Sequence, residues 1–424
     1  MPSKLVKKTF FSLYGGIWAA LMPFLRKNGR LAEGFRQRTL DEPVLNPADL
    51  WIQSASAGEA YLTWEILKRL PQAASFSILL TANTRQGIDI LFQAARQFRK
   101  YHRQALVRVA YFPFDRPLVM QKAVHQIQPR VMVLLESELW PGLLYSLKRS
   151  ESRILIINGR ITQKSLARYS IWPSLWRDLR PDAILAISNE DAGRFARLFG
   201  KKAVAVMPNI KFDRLQSPDP RGTAENPLDA FLPASSPFLI LGSIRRAEEK
   251  DALNILLEIL RRHPDVVIGL FPRHMHRIQH WRQVLQTSGV SWLLRSAVET
   301  VIPGGSVILW DVFGELNPAY MKSAGAFVGG SLAPVGGQNF LEPVMVGTPT
   351  IIGPYWDNFK WVGKGIIDRG IVQQASSWTD VAEGLQNVLK YPPDKAALRM
   401  QALAYIRHRQ GGTDTACRLI GDYL

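Results

Sequence analysis

The chain has 424 residues, too many for one ordinary core and enough for two domains of usual size. An apolar fraction of 47% with 21% charged residues excludes a disordered chain, and a single cysteine, Cys417, excludes an internal disulfide or a cysteine-built zinc site and fits a reducing compartment. A net charge of +18 points to an anionic partner: nucleic acid, an acidic membrane surface or a phosphorylated substrate.

The positive charge is dense at the start. Residues 1–40 carry Lys4, Lys7, Lys8, Arg26, Lys27, Arg30, Arg36 and Arg38 against one acid, Glu33. Between the first two basic clusters, residues 10–25 read FFSLYGGIWAALMPFL without a charge. As a helix this run is about 24 Å long, short of the hydrocarbon core of about 30 Å. It either lies in one leaflet or spans with help from its flanks. Tyr14 and Trp18 are interfacial residues, and no small-residue cleavage site follows, so a membrane-associated helix is expected over residues 1–40.

Short β-branched or Leu-rich runs then alternate with amphipathic stretches, at 50–52, 77–81, 107–110, 131–135, 154–157, 183–187 and 204–206. That alternation predicts a parallel sheet covered on both faces over residues 41–213. Residues 214–237 are rich in Pro, Ser and acids, lack a sustained period and read as a linker. The alternation resumes at 238–241, 266–270, 307–309, 326–328 and 350–352, giving a second domain over 238–393, with a terminal helix over 394–424. The expected class is α/β of the GT-B type: two Rossmann-like parallel-sheet domains facing a central cleft. In open α/β sheets ligands bind beyond the carboxyl ends of strands, so the residues after each strand carry the functional reading.

After the first strand comes Gln53-Ser-Ala-Ser-Ala-Gly-Glu59. Ser56 suits a helix cap, and Glu59 falls in the first turn, either as a general base for an attacking hydroxyl or as the partner in a capping box. After the fourth strand, Glu136-Ser-Glu138-Leu-Trp140-Pro141 offers two acids for a metal, a polar substrate or simple capping. No Asp-x-Asp triplet occurs, which gives metal-dependent handling of a nucleoside diphosphate little support, and no metal or other cofactor is expected. In the second half Pro272-Arg273 follows a strand and places a guanidinium where a phosphate would sit. Phe313-Gly314-Glu315 follows another. Two glycine turns then lead to Asn339-Phe340-Leu341-Glu342, where exposed amides suit an anion and a carboxylate suits ribose hydroxyls.

WIQSASAGE, LLESELWPGLL, INGRITQKS, SNEDAGRFARLFG, PNIKFD, PRHMHR, FGELNPAY and FVGGSLAPVGGQNFLEP together resemble the Kdo transferases, in family order from about residue 10 to 400. These enzymes move 3-deoxy-manno-octulosonic acid (Kdo) from CMP-Kdo to a lipid A precursor in lipopolysaccharide synthesis. The resemblance implies an inverting, metal-independent GT-B enzyme on the cytoplasmic face of the inner membrane. It gives Glu59 the role of catalytic base and makes Glu136 and Lys211 transition-state stabilisers. It assigns CMP binding to Pro272, Arg273, Phe313, Gly314, Glu315, Asn339, Phe340, Leu341 and Glu342.

This chain departs from the family pattern at three cleft positions, with Gln53, Arg245 and Gln338 where the family usually has histidine. The leading expectation is transfer of Kdo to a lipid A-like acceptor (lipid IV-A). The alternatives are a divergent relative using another CMP-ulosonic acid or acceptor, and a membrane-bound pseudoenzyme. Expected partners are a CMP-sugar, a lipid A precursor and an anionic membrane surface. Nucleic acid is not among them, because no basic-aromatic RNA signature or recognition-helix module is present.

Overall fold

The structure, a computed structural model, describes residues 4–42, 46–70, 76–102, 105–215, 226–232 and 237–424, without the side chains of residues 4–8 and 30. Most of the predicted linker (216–225 and 233–236) and the side chains of Lys4, Lys7, Lys8 and Arg30 lie outside the described residues.

The chain divides into two compact units, residues 1–215 with 409–424, and residues 216–408. The first holds a seven-stranded sheet of β1 (Leu50–Ser54), β2 (Ile78–Ala82), β3 (Val107–Tyr111), β4 (Val131–Leu135), β5 (Arg153–Gly159), β6 (Ala183–Ala186) and β7 (Val204–Val206). All its pairings are parallel, in the order β3-β2-β1-β4-β5-β6-β7. The order reverses at β1 and β4, where diverging connections leave a crevice at the strand ends. β1, β2 and β4 are buried at every position, as the continuous apolar runs of a doubly covered sheet require.

The second unit repeats the plan with β8 (Phe238–Ile244), β9 (Val267–Pro272), β10 (Ser291–Leu294), β11 (Ser306–Leu309), β12 (Gly325–Val328), β13 (Thr350–Ile352) and β14 (Val372–Gln374). Their order is β10-β11-β9-β8-β12-β13-β14, again all parallel, with the reversal at β8 and β12. The expectation of two Rossmann-like parallel-sheet domains holds. Two strands escape the sequence pattern, β10 and β14. Both are sheet edges, and the partly exposed SWLL and VQQ lack the apolar continuity of the inner strands.

The helices of the first unit close both faces of its sheet. The N-terminal helix, Lys4–Lys27, buries Phe11 on one face and packs Phe10 and Tyr14 beside it. Its other side exposes Leu13, Ile17, Leu21 and Phe24, an apolar stripe at helical spacing. Among the described residues no helix is long and apolar enough to cross a membrane.

The segment expected as one terminal helix is two, Lys395–Arg407 and Gly412–Tyr423, separated where Gly411 takes φ 99°. The second returns to the first unit, burying Ala416, Cys417 and Ile420 on the opposite face of its sheet from the N-terminal helix. Asp213 fastens it there. Its Oδ1 accepts from Gly411 N at 2.7 Å, and its Oδ2 accepts from Thr413 N and Oγ1, each at 2.6 Å.

Candidate functional site

In the first unit the reversal point gathers three carboxylates and a lysine. Ser56 caps the helix Ala57–Arg69, accepting from Glu59 N at 3.4 Å, and the Glu59 carboxylate turns back to accept from Ala55 N. The capping reading of Glu59 is thus realised, one residue further back than the usual box. The carboxyl is also hard to ionise. Burial, the nearby Glu138 charge and, more weakly, Glu136 push its pKa up to about 8 against the Ala55 amide and Lys211. A group that titrates near neutrality at a strand end is suited to proton transfer.

Glu136, at φ 54°, begins the turn after β4. Its Oε1 accepts from Lys211 Nζ at 2.6 Å. Lys211 is delivered by the short helix Ile210–Phe212, whose N-terminal amides are held by Asn209 Oδ1 (3.0 Å to Lys211 N) and Asn158 Oδ1 (2.9 Å to Ile210 N). With Asp213 locked to the C-terminal helix two residues later, the lysine stands on a support anchored at both ends.

Glu138 belongs to a relay invisible in the sequence. Trp51 Nε1 donates to Thr81 Oγ1 (2.8 Å), and that hydroxyl donates to Gln53 Oε1 (2.6 Å). Gln53 Nε2 then reaches Asn83 Oδ1 at 3.1 Å and Glu138 Oε2 at 3.5 Å, and Trp140 Nε1 donates to the same Glu138 oxygen at 2.7 Å. Burial, outweighing the Trp140 and Gln53 contacts, raises the Glu138 pKa. Asn83 and Thr81, at the end of β2, were missed as site residues. The position of Asn83 just past that strand was the available signal, whereas Thr81 lies within it. Behind the turn, buried Asp115 accepts from Gly142 N (2.9 Å), Leu143 N (2.7 Å) and Tyr14 OH (2.8 Å), tying the N-terminal helix to the segment that carries Glu138 and Trp140.

In the second unit Pro272 ends β9 and Arg273 emerges exposed, its Nε donating to Gln338 Oε1 at 2.9 Å. Asn339 Nδ2 donates to Glu342 Oε1 at 2.8 Å, and burial raises the Glu342 pKa against the Asn339 bond and the Arg273 charge. Arg273, Gln338, Asn339 and Glu342 therefore form one cluster. Beneath it the carboxylate of buried Glu248 accepts from the amides of Gly330, Ser331 and Leu332, and from Arg245 N. A Cβ on Gly329 would stand 2.5 Å from Glu248 Oε1, and Gly330 has φ 68°, so this turn needs both glycines.

The other predicted residues stand differently. Phe340 and Leu341 are fully buried, Phe340 against Trp356 and Phe359, so only their backbone faces outward chemistry. Phe313 is 85% exposed and Gly314 takes φ 90°. The Glu315 carboxylate is engaged by Arg295 (2.8 and 3.0 Å) and by Trp310 Nε1 (2.9 Å), outside the Arg273 cluster.

Residues 27–214 match the family described as 3-deoxy-D-manno-octulosonic-acid transferase (kdotransferase), a stretch that includes Glu59, Glu136, Glu138 and Lys211. The chain is 27% identical over 408 residues to the 3-deoxy-D-manno-octulosonic acid transferase of Haemophilus influenzae, covering 94% of this chain and 92% of that protein. It is 26% identical over 396 residues to a bifunctional glycosyltransferase/methyltransferase of Fusobacterium nucleatum, covering 91% of this chain but only 58% of that longer protein. Among solved structures, a glycosyltransferase from Rickettsia africae shares the fold at 10% identity and a TM-score of 0.58, covering 89% of this chain and 99% of that one.

Proposed function

We propose that this chain, a glycosyltransferase with a Kdo-transferase domain over residues 27–214, transfers Kdo from CMP-Kdo to a lipid A precursor with inversion at the anomeric carbon. The observation that carries the reading is the Glu59 carboxyl, buried beside Glu138 and the Glu136–Lys211 pair with its pKa near 8.

In its ionised form Glu59 takes the proton of an acceptor hydroxyl as that oxygen bonds to the anomeric carbon. The bond from that carbon to the phosphate oxygen breaks, and CMP leaves with the electron pair. Lys211 stabilises charge on the acceptor side. Arg273 meets the phosphate, and Glu342, oriented by Asn339, accepts from the ribose hydroxyls. These cations make a metal-independent reaction chemically reasonable, since they can neutralise the negative charge that develops on the phosphate as CMP departs.

The N-terminal helix fits attachment in the plane of a bilayer. Its stripe of Leu13, Ile17, Leu21 and Phe24 offers apolar burial, and Arg26 and Lys27 follow for anionic headgroups. The cytoplasmic face of the inner membrane, where both substrates would meet, is the proposed location.

The test uses purified full-length protein, CMP-Kdo and a tetra-acylated lipid A precursor, with products weighed by mass spectrometry. A product heavier by one or more Kdo residues is expected. CMP binding without transfer to any lipid acceptor would favour a membrane-bound pseudoenzyme, and transfer only from another CMP-ulosonic acid would mark a divergent relative.

A further inference from the structure

On one side of the reversal point of the second sheet β8 pairs with β9, and Ile244 is the register partner of Pro272. The next residue on each strand is an arginine. Arg245 and Arg273 thus leave neighbouring parallel strands, whose spacing is about 4.8 Å, and Arg273 N is tied to Ile244 O at 2.8 Å.

The charge around this pair is one-sided. Glu248 spends its carboxylate on four backbone amides, and Glu249 is paired with Arg277 (2.5 Å) and reaches His280 (3.2 Å). Glu315 belongs to Arg295, and Glu342 holds Asn339. Arg273 bonds a neutral amide, Gln338, and Arg245 has no ion-pair partner among the described residues. His274 beside them is held below its ordinary pKa by desolvation and by the charges of Arg245 and Arg273, so it adds little cation of its own near neutral pH. Two arginines that leave neighbouring strand ends, neither of them ion-paired to a carboxylate among the described residues, match a ligand with two adjacent anionic groups.

We propose that Arg245 binds the carboxylate of a nucleotide-linked sugar acid while Arg273 holds the phosphate, so that Arg245 selects an ulosonic acid over a neutral sugar. This rests on the cytidine-nucleotide reading of the site and goes beyond it by naming the group that chooses the sugar. In a CMP-ulosonic acid the carboxylate and the phosphate-bearing oxygen share one anomeric carbon, so the two anions are neighbours, as the two arginines are at the ends of paired strands. A planar guanidinium takes a carboxylate through two parallel hydrogen bonds. A neutral sugar on the same phosphodiester would leave Arg245 unmatched.

The test compares two ligands that share the cytidine phosphodiester and differ in the acid. These are CMP-Kdo, without acceptor, and cytidine 5′-methyl phosphate, titrated calorimetrically into the full-length protein and its R245Q and R245K variants. Wild type is expected to bind CMP-Kdo about tenfold or more tighter than the methyl ester, as one charge-assisted contact allows. R245Q is expected to lose that preference with methyl-ester affinity kept within about twofold, and R245K to regain part of it. Equal weakening of both ligands in R245Q, or no weakening of either, overturns the role of Arg245. Failure of wild type to bind either ligand would instead overturn the cytidine reading itself.

Discussion

Lys211 Nζ donates to Glu136 Oε1 across 2.6 Å, joining residues 75 apart in the chain next to the Glu59 carboxyl. The pair acts on Glu59 in opposite senses: Glu136 raises its pKa and Lys211 lowers it. Removing one partner should therefore move the activity profile one way, and removing the other should reverse it. Lys211→Met strips the cation, leaves buried carboxylates facing each other and should shift the rise in rate to higher pH. Glu136→Gln removes a like charge, frees Lys211 and should shift it lower. Both should lower kcat at least about tenfold, and shifts of the same sign in the two variants would refute this electrostatic picture.

Glu59→Gln keeps the size of the side chain and an acceptor for Ala55 N, but it cannot take a proton. Turnover should drop by roughly 10²–10⁴-fold, with CMP affinity unchanged because the proposed CMP contacts come from residues 272–342. Single-turnover transfer and CMP titration on the same preparation check this. Near-normal turnover would remove Glu59 from the base role.

Because the pKa of Glu59 is raised to about 8 in the folded protein, the carboxyl is mostly protonated at pH 6 and mostly ionised at pH 9. A base is active only when ionised. kcat/KM should then climb close to tenfold per unit below pH 8 and level off above it. Glu138 is the main charge that raises Glu59, so Glu138→Gln should move this rise to lower pH. A profile flat from pH 6 to 8 would show that Glu59 is not the titrating group.

Replacing Leu13, Ile17, Leu21 and Phe24 together with Ser removes the exposed stripe and leaves Phe11 and Tyr14 on the domain. In sedimentation with vesicles of anionic phospholipid, the variant should remain in the supernatant at high salt where the native chain pellets. Its transfer to a soluble acceptor analogue should persist. Equal pelleting of the two proteins would place the attachment elsewhere.

Thr413→Ala deletes one of the two bonds by which Thr413 holds Asp213 Oδ2. A lost hydrogen bond to a charged group costs about 1.5–3 kcal/mol, and urea unfolding should show a loss of that order. Because Asp213 lies two residues from Lys211, the variant should also lose some kcat, by less than Lys211→Met. Full stability and full activity together would show that the C-terminal helix does not support Lys211.

The sequence alone determined the sheets' inner strands, the order of elements and the glycine turns, because these depend on local periodicity and local backbone need. A short continuous apolar run such as 131–135, bounded by turn residues, reads as a doubly covered strand, and a turn that takes φ 68° at Gly330 favours glycine. Ser56 and Glu59 were legible as a cap for the same reason, since their contact spans three residues. Tertiary structure decided the rest. It gave Gln53 a share in Glu138, 85 residues away, and set Lys211 on Glu136. It returned the last helix to the first unit, buried Phe340 and Leu341, and turned Glu315 toward Arg295. It also added β10 and β14, whose half-exposed residues make strands only because β11 and β13 offer them unpaired backbone. A residue's neighbours along the chain specify its backbone. Its charge state and bonding partners depend on which distant strand ends the fold brings to the same edge.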